Sequence, residues 1–437
     1  MRKKTIHTPF LIYAFLLILN VQFAKAQPTA VYVQELNKAI KEIKPEAIGL
    51  METGLFDDKQ LIGLGEATHG TKEFATYRNQ FIKELVLKGN LKIVAYETDY
   101  SNSLTLNKYL LSDEKDSLDH EVINKFGLYG IHRTQEMYDL VKWIKSYNLS
   151  KMPQERVQFL GIDLQDPYAI ARKISAFFPQ FQSLDQEGYA QFEAFKKVTY
   201  ENKQKQGTKE EKLANKKLVD RIKALVVANS KSADTLELLH CLDLLSQSLN
   251  LYDDPGFFSK VGEWYTSLRD QYMAENVMWL LNNKANGGKM VLIAHNGHVA
   301  HAKLANTQRL GYHLREAIGA KYYALGMTFD EGSVRIFDYN GEKKYKSFNY
   351  SSSTADNAYE FVLKNCVFPN FFLDISTAKN NKVLASFFDR FTYSRVIGAV
   401  YQPTPKKDYY SQPLMACFDG LLFFRNTTAA ENIAQRK

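Results

Sequence analysis

Two short segments of this chain concentrate side chains that can move protons. Gly63-Leu64-Gly65-Glu66-Ala67-Thr68-His69-Gly70 sets a carboxylate and an imidazole three residues apart. His295-Asn296-Gly297-His298-Val299-Ala300-His301 gathers three of the chain's nine histidines within seven residues. Imidazole titrates near neutral pH and is the usual general base, and a neighbouring carboxylate fixes its tautomer and stabilises the imidazolium that forms. Glu66 and His69 therefore suit proton abstraction from water. The pair also fits a plainer role, with Glu66 at a helix start and His69 as a satisfied polar residue. The histidine cluster is compatible with a zinc-type site, with a metal-free hydrogen-bonding site, or with structural histidines. No H-E-x-x-H is present.

Further acids arrive in similar settings. Glu97-Thr98-Asp99 and Gly161-Ile162-Asp163 each follow an apolar run, and both acidic ends are also good helix caps, Asp163 above all. Arg78, Arg133 and Arg269 are ordinary surface residues unless they face the same crevice. There, their planar fork would hold an anionic group or a developing oxyanion. The G-x-G-x-x-G register needs glycine where Thr68 stands, which argues against a dinucleotide turn. No G-x-S-x-G elbow occurs and no cysteine lies beside a histidine, so a serine or thiol nucleophile is disfavoured. Hydrolysis here implies direct attack by activated water.

The elements that must position these groups are four apolar runs: 61–65, 92–96, 157–162 and 290–294. Such runs read as strands buried on both faces, typical of parallel sheets, whose ligands bind beyond the carboxyl ends of the strands. Helices are expected at 73–88, where Phe74, Tyr77, Phe81, Leu85 and Lys88 recur at helical spacing, and at 133–147 and 167–177. The spacing predicts an α/β fold with a mostly parallel central sheet flanked by helices. Residues 185–285 break the alternation and read as an inserted helical lid, with Asp253-Asp254-Pro255-Gly256 as a loop inside it. The lysine- and glutamate-rich stretch near 201–217 reads as a solvated face. After 289–295, helices are expected at 299–305 and 308–318 and strands at 322–329 and 334–339. A strand-rich C-terminal part follows, at 371–375, 395–400 and 420–425.

Arg2, Lys3 and Lys4, an apolar stretch over 9–23 and Ala24-Lys25-Ala26 have the layout of a cleaved signal peptide. The expectation is a secreted or periplasmic domain, residues 27–437, with no stable membrane anchor after cleavage. The formal charge of +8 becomes +4 without residues 1–26, which hold four basic and no acidic residues. So mild an excess does not argue for a nucleic-acid partner. Cys241, Cys366 and Cys417 have neither zinc-ligand nor disulfide-framework spacing; they read as buried thiols, although one pair has the option of bridging.

GLGEATHGTKEFATYRNQF, IVAYETDY, the region of Ile131-His132-Arg133-Thr134 with Trp143, FLGIDLQD, LRDQYMAENVMWL and VLIAHNGHVAH together resemble the erythromycin esterase family. The closing FDGLLFFRNTT resembles its last strand. The resemblance implies an α/β fold with a helical lid and metal-independent hydrolysis of a macrolide lactone ester. His69 would activate water, and Glu66 and Glu97 would orient it. Arg78, Arg269, His295 and His298 would shape the polar pocket and stabilise the oxyanion; Arg133 and Asp163 are less firmly placed. No cofactor is implied, although a divalent metal remains an alternative within the wider superfamily. Two departures stand out: the exported start, and a helical segment without a pattern that selects a macrolide. The rival reading is an exported protein that binds a small molecule in the same crevice without chemistry.

Overall fold

The computed structural model describes residues 29–115, 128–197, 208–230, 234–253, 267–304, 307–401 and 408–433. The signal-like start and residues 254–256 of the expected loop lie outside them. The strands are β1 (Ile40–Glu42), β2 (Leu61–Glu66), β3 (Leu91–Asp99), β4 (Gln158–Asp163), β5 (Lys289–His295), β6 (Tyr322–Phe337), β7 (Tyr345–Tyr350), β8 (Asn370–Asp374), β9 (Tyr393–Arg395), β10 (Tyr409–Ser411) and β11 (Gly420–Thr427). Their main sheet runs β1-β8-β11-β6-β2-β5-β3-β4, with β7 beside the second half of β6; β9 and β10 pair separately. From β11 to β4 every neighbour is parallel, while β8, β1 and β7 add antiparallel margins. The expected α/β class is the observed one.

The apolar runs are continuous because both faces of the sheet are covered. Alternate residues divide between two cores: Leu61, Ile93 and Leu292 join one, while Ile62, Leu64, Val94, Val291 and Ile293 join the other. Parallel pairing also brings the carboxyl ends of the central strands to one edge. Glu66 lies in register with His295, and Asp99 with Asp163. Between Tyr96 and Asp99 the pairing of β3 with β4 shifts register, so Glu97 projects from an irregular strand end. Gly65 permits a close approach there, since a Cβ at that position would lie 2.4 Å from Asn296 Oδ1.

The helical segment spans Gln186–Lys197, Lys209–Asn229, Thr235–Asp253 and Ser267–Asn283 among the described residues. Leu218, Ile222, Leu238, Leu242 and Leu245 merge with Leu160, Ile162 and Leu292 in a single core. At roughly 1.5–3 kcal/mol per fully buried aliphatic side chain, this face fixes the helices against one side of the sheet. Among the described residues the segment contributes only Arg269 to the crevice lining.

Three local expectations differ from the structure. The helix expected over 299–305 is absent from its described residues 300–304: one turn, Asn296–Val299, ends where the His301 amide donates to the Cys417 carbonyl. The run 322–329 and residues 334–337 of the run 334–339 belong to one strand, β6, whose first half pairs with β2 and β11 and whose second half pairs with β7. Finally, β9 stops at Arg395. The apolar residues 396–400 leave it to wall the crevice, the Ile397 amide donating to Ala67 O at 2.8 Å. All three cysteines are buried free thiols, and no described helix is long and apolar enough to cross a membrane.

Candidate active site

Beyond the carboxyl ends of β2, β3 and β5 lies a cavity of about 500 Å³. His69, Glu97, His132, Arg269, His295 and His298 supply its polar lining. Tyr129, Ile131, Tyr345, Tyr350, residues 396–400, Asp408 and Tyr410 are among those that complete the wall. A charged region thus meets tyrosines and aliphatic groups, the usual mixture of a small-molecule site.

His69 is set by the turn between β2 and the helix Lys72–Lys88. Its Nδ1 lies 2.8 Å from Glu66 Oε1, and Arg78 Nη1 donates to Glu66 Oε2 at 2.5 Å. Burial opposes charge on Glu66, but Arg78 and His69 overcome it and hold the carboxyl below its ordinary range. A carboxylate only accepts, so the His69 Nδ1–H donates and Nε2 carries the lone pair. Burial likewise disfavours the His69 imidazolium, yet the Glu66 bond and charge prevail and its pKa is raised. Among the described residues no hydrogen bond engages Nε2, and the ring lines the cavity.

The surrounding histidines are in different states. His295 Nδ1 accepts from the Gly297 amide at 3.3 Å, so its Nε2–H donates to the carbonyls of Ala67 and Ile397 at 3.2 and 3.3 Å. Burial and the charge of His69 push its pKa down to about 4. His132 Nε2–H donates to Glu97 O at 3.2 Å, and Nδ1 takes the Tyr96 hydroxyl at 3.3 Å. Burial, then His69, brings its pKa to about 3. His298 is the opposite case. Its Nδ1 is 2.6 Å from Asp270 Oδ1 and its Nε2 3.1 Å from Glu97 Oε1. Burial penalises the cation, but Asp270 and Glu97 outweigh it and raise the pKa to about 9. His298 is therefore an imidazolium at neutral pH.

Glu97 links these groups. Its Oε1 also accepts from Arg269 Nη2 at 3.2 Å, and its Oε2 accepts from the His295 amide at 3.0 Å. Burial disfavours the charged carboxylate, but His298 first, then His69 and Arg269, holds its pKa well below the ordinary value. Arg269 grips Asp163 through Nε and Nη2 at 3.2 and 2.6 Å. Arg269 Nη1 also lies 3.3 Å from His298 Nε2. Both atoms are donors, so this is a like-charged approach neutralised by Glu97 rather than a hydrogen bond.

The structure thus brings Glu66, His69, Glu97, Arg269, His295 and His298 together, with Arg78 behind Glu66 and Asp163 behind Arg269. Arg133 stands apart, its Nε donating to Leu128 O at 2.9 Å, and His301 is directed toward Asp419. His132, Tyr129, Asp270 and Arg309 join the cluster without having been singled out. Tyr129 donates to Asp163 Oδ2 at 3.0 Å, and Arg309 Nη1 to Asp270 Oδ2 at 3.1 Å. The adjacency of Arg269 and Asp270 on one helix was the available signal for Asp270, and His132 lay beside the arginine that drew attention.

Glu66, His69 and His132 bring candidate ligand atoms within 4.8 Å of one another. Their partners do not suit a divalent cation. Glu66 faces the buried Arg78 guanidinium, and both nitrogens of His132 already bond to Tyr96 and Glu97. A metal there would be repelled by Arg78 and would have to displace those bonds.

Known proteins resemble this chain in sequence and in fold. A family model described as Erythromycin esterase matches residues 88–427. The type II erythromycin esterase of Escherichia coli is 24% identical over 322 residues, 67% of this chain and 74% of that protein. A putative hydrolase of Bacillus subtilis (strain 168) is 22% identical over 356 residues, 74% and 76% of the two chains. A crystal structure of a Bacillus cereus protein superposes with a TM-score of 0.80 at 21% identity, covering 93% of this chain and 99% of the other. A mutant of the erythromycin esterase EreC in its open conformation superposes at 0.66 and 16% identity, covering 88% and 95%. These two structures share the fold, and the sequence relatives both carry hydrolase names. The family match spans well over half of the sequence, and the chain belongs to the erythromycin esterase family.

Proposed function

We propose that this protein is an exported hydrolase that cleaves a small-molecule ester or lactone with water, without a covalent intermediate and without a metal. The observation that carries the reading is the His69 imidazole, with Nδ1 bound to Glu66 and Nε2, unengaged among the described residues, at the cavity. Nε2 takes a proton from water as the oxygen attacks the acyl carbon. The carbonyl oxygen becomes an oxyanion facing the cationic side of the pocket, formed by Arg269 and His298. Collapse breaks the acyl–oxygen bond, and the His69 imidazolium returns its proton to the leaving alkoxide. Glu66 keeps the ring in one tautomer throughout. His295, neutral and with its N–H bound to two carbonyls, supports the His69 turn rather than the oxyanion.

The deciding experiment is a hydrolysis screen over macrolides and simple neutral esters in chelator-treated buffer. Turnover by the wild type and its loss in His69→Ala, with circular dichroism unchanged, is expected. His69→Ala hydrolysing at the wild-type rate, or activity restored only by added zinc or manganese, overturns the mechanism. Export is proposed from the basic and apolar start. Edman sequencing of protein from the periplasm or medium should then begin at Gln27, and an intact Met1 in the cytoplasm would refute it.

A further inference from the structure

Arg335 is buried, and among the described residues no carboxylate forms an ion pair with it, an expensive arrangement for a guanidinium. Burial presses its pKa below the ordinary value, opposed by Tyr345 and Glu136. Its contacts account for its presence. Nη1 donates to Ile131 O at 3.0 Å and Nη2 to Gly130 O at 3.3 Å, gripping the turn that presents His132. Nε donates to Asn432 Oδ1 at 2.6 Å, and the guanidinium lies 4.3 Å from the ring centre of Tyr345, a residue of the cavity wall. Its main chain reaches the other catalytic turn, where the Arg335 amide donates to Gly70 O at 2.9 Å.

The C-terminal residues extend the same linkage. The Ala430 amide also donates to Gly70 O, at 2.8 Å, and the Gln135 amide donates to Glu431 O at 2.9 Å. Thr71 pairs with Ala429 and Thr134 with Asn432 in isolated bridges. Residues 428–433 therefore tie together the starts of the two helices that follow the His69 turn and the His132 turn. Arg335 touches this segment and both turns.

We propose that Arg335 is a positioning residue of the site: through Gly70, the Gly130–His132 turn and Asn432 it fixes the His69 and His132 rings against each other. Their centroids are 5.1 Å apart and their planes 89° apart. The inference takes His69 as the base, as the proposed function does, but its test does not depend on a substrate. Fixed in this way, His132 stays neutral and bonded to Tyr96 and the Glu97 carbonyl. If the turn loosens, water reaches the ring and its pKa rises toward 6.5. A second imidazolium then faces His69 alongside Glu66, Glu97, His295 and His298, with Arg78, Tyr96 and Tyr129 around His132, and it pulls the pKa of His69 down. Arg is required because a planar fork spans two adjacent carbonyls and an amide at once, whereas lysine offers a point charge.

The test is histidine-selective NMR titration of the full chain, comparing wild type, Arg335→Lys and Asn432→Ala. In the wild type His132 should not titrate above pH 5. In Arg335→Lys it should titrate above pH 5, with the His69 midpoint displaced downward; Asn432→Ala should show a smaller change of the same sign. Where ester turnover is measurable, kcat of Arg335→Lys should fall at least tenfold per folded molecule, with the acid limb of kcat/KM moved to lower pH. If His132 remains silent and His69 titrates as in the wild type in both variants, the proposal is overturned, whatever the change in Tm. Should Arg335→Lys not fold, Asn432→Ala alone decides by the same criterion. A wild type that hydrolyses nothing overturns the proposed function and leaves the NMR criterion intact.

Discussion

Three histidines surround His69, and each has its ring nitrogens bound in a way that removes it from proton exchange near neutrality. His132 and His295 are neutral donors to backbone carbonyls, and His298 is an imidazolium between two carboxylates. Among the described residues His69 alone combines a raised pKa with an unengaged nitrogen at the cavity. A general base works deprotonated, so activity should rise with pH through the His69 pKa, with its midpoint above the ordinary 6.5. Glu66→Gln removes the charge that raises this pKa and, with the amide oxygen held by Arg78, turns its NH2 toward His69 Nδ1 in place of the acceptor, leaving burial to lower the pKa. The acid limb of kcat/KM should then move to lower pH, and kcat should fall about a hundredfold or more as the tautomer is lost. An acid limb that stays in place in this variant would remove Glu66 from the role. Glu66, His69, His295 and His298 were legible in the sequence because they cluster locally at strand ends. His132 and Arg309 were not, because only the fold brings them beside Tyr96, Glu97 and Asp270.

At the scale of elements, the parallel strands β2, β3, β4 and β5 could be read from their apolar runs, because burial on both faces leaves a continuous signature. The exchange of partners along β6 left no such mark, nor did the departure of residues 396–400 from β9; both depend on which distant strand is adjacent. The turn after β2 depends on distant backbone in the same way. Gly70 has no room for a side chain, since a Cβ there would sit 1.7 Å from the carbonyl oxygen of Arg335. The obstructing atom belongs to the second half of β6, which is held by its pairing with β7, so the turn must move instead. Gly70→Ala should cost about 3 kcal/mol or more, the upper end for overpacking, and should displace His69 enough to lower kcat. Urea unfolding checks the first effect and turnover per folded molecule the second. An alanine variant as stable and active as the wild type would contradict this account of the turn.

Across the whole molecule, alternating charges join the helical segment to the sheet: Arg309 to Asp270, Asp270 to His298, His298 to Glu97, Glu97 to Arg269, and Arg269 to Asp163. Arg269 and Asp270 belong to the helix Ser267–Asn283, while Glu97, Asp163 and the turn bearing His298 belong to the sheet edge. His298 is the link in this chain that titrates in an accessible range, with a folded pKa of about 9 against an unfolded value of about 6.5. Because the folded value is higher, its stabilisation is fully present below about pH 6.5 and is lost as pH rises through 9. A shift of this size corresponds to about 3 kcal/mol at most. Asp99 and Asp408, raised chiefly by burial to about 7 and about 6, make the absolute pH dependence composite. The difference between wild type and His298→Asn isolates the histidine, which is not among the groups that shift Asp99 or Asp408. Urea unfolding of the pair from pH 5 to 10 should show a stability gap that is constant below about 6.5 and narrows steadily to about pH 9. A gap that is constant across the range, or that widens with pH, would mean that His298 is not the protonated link between helix and sheet.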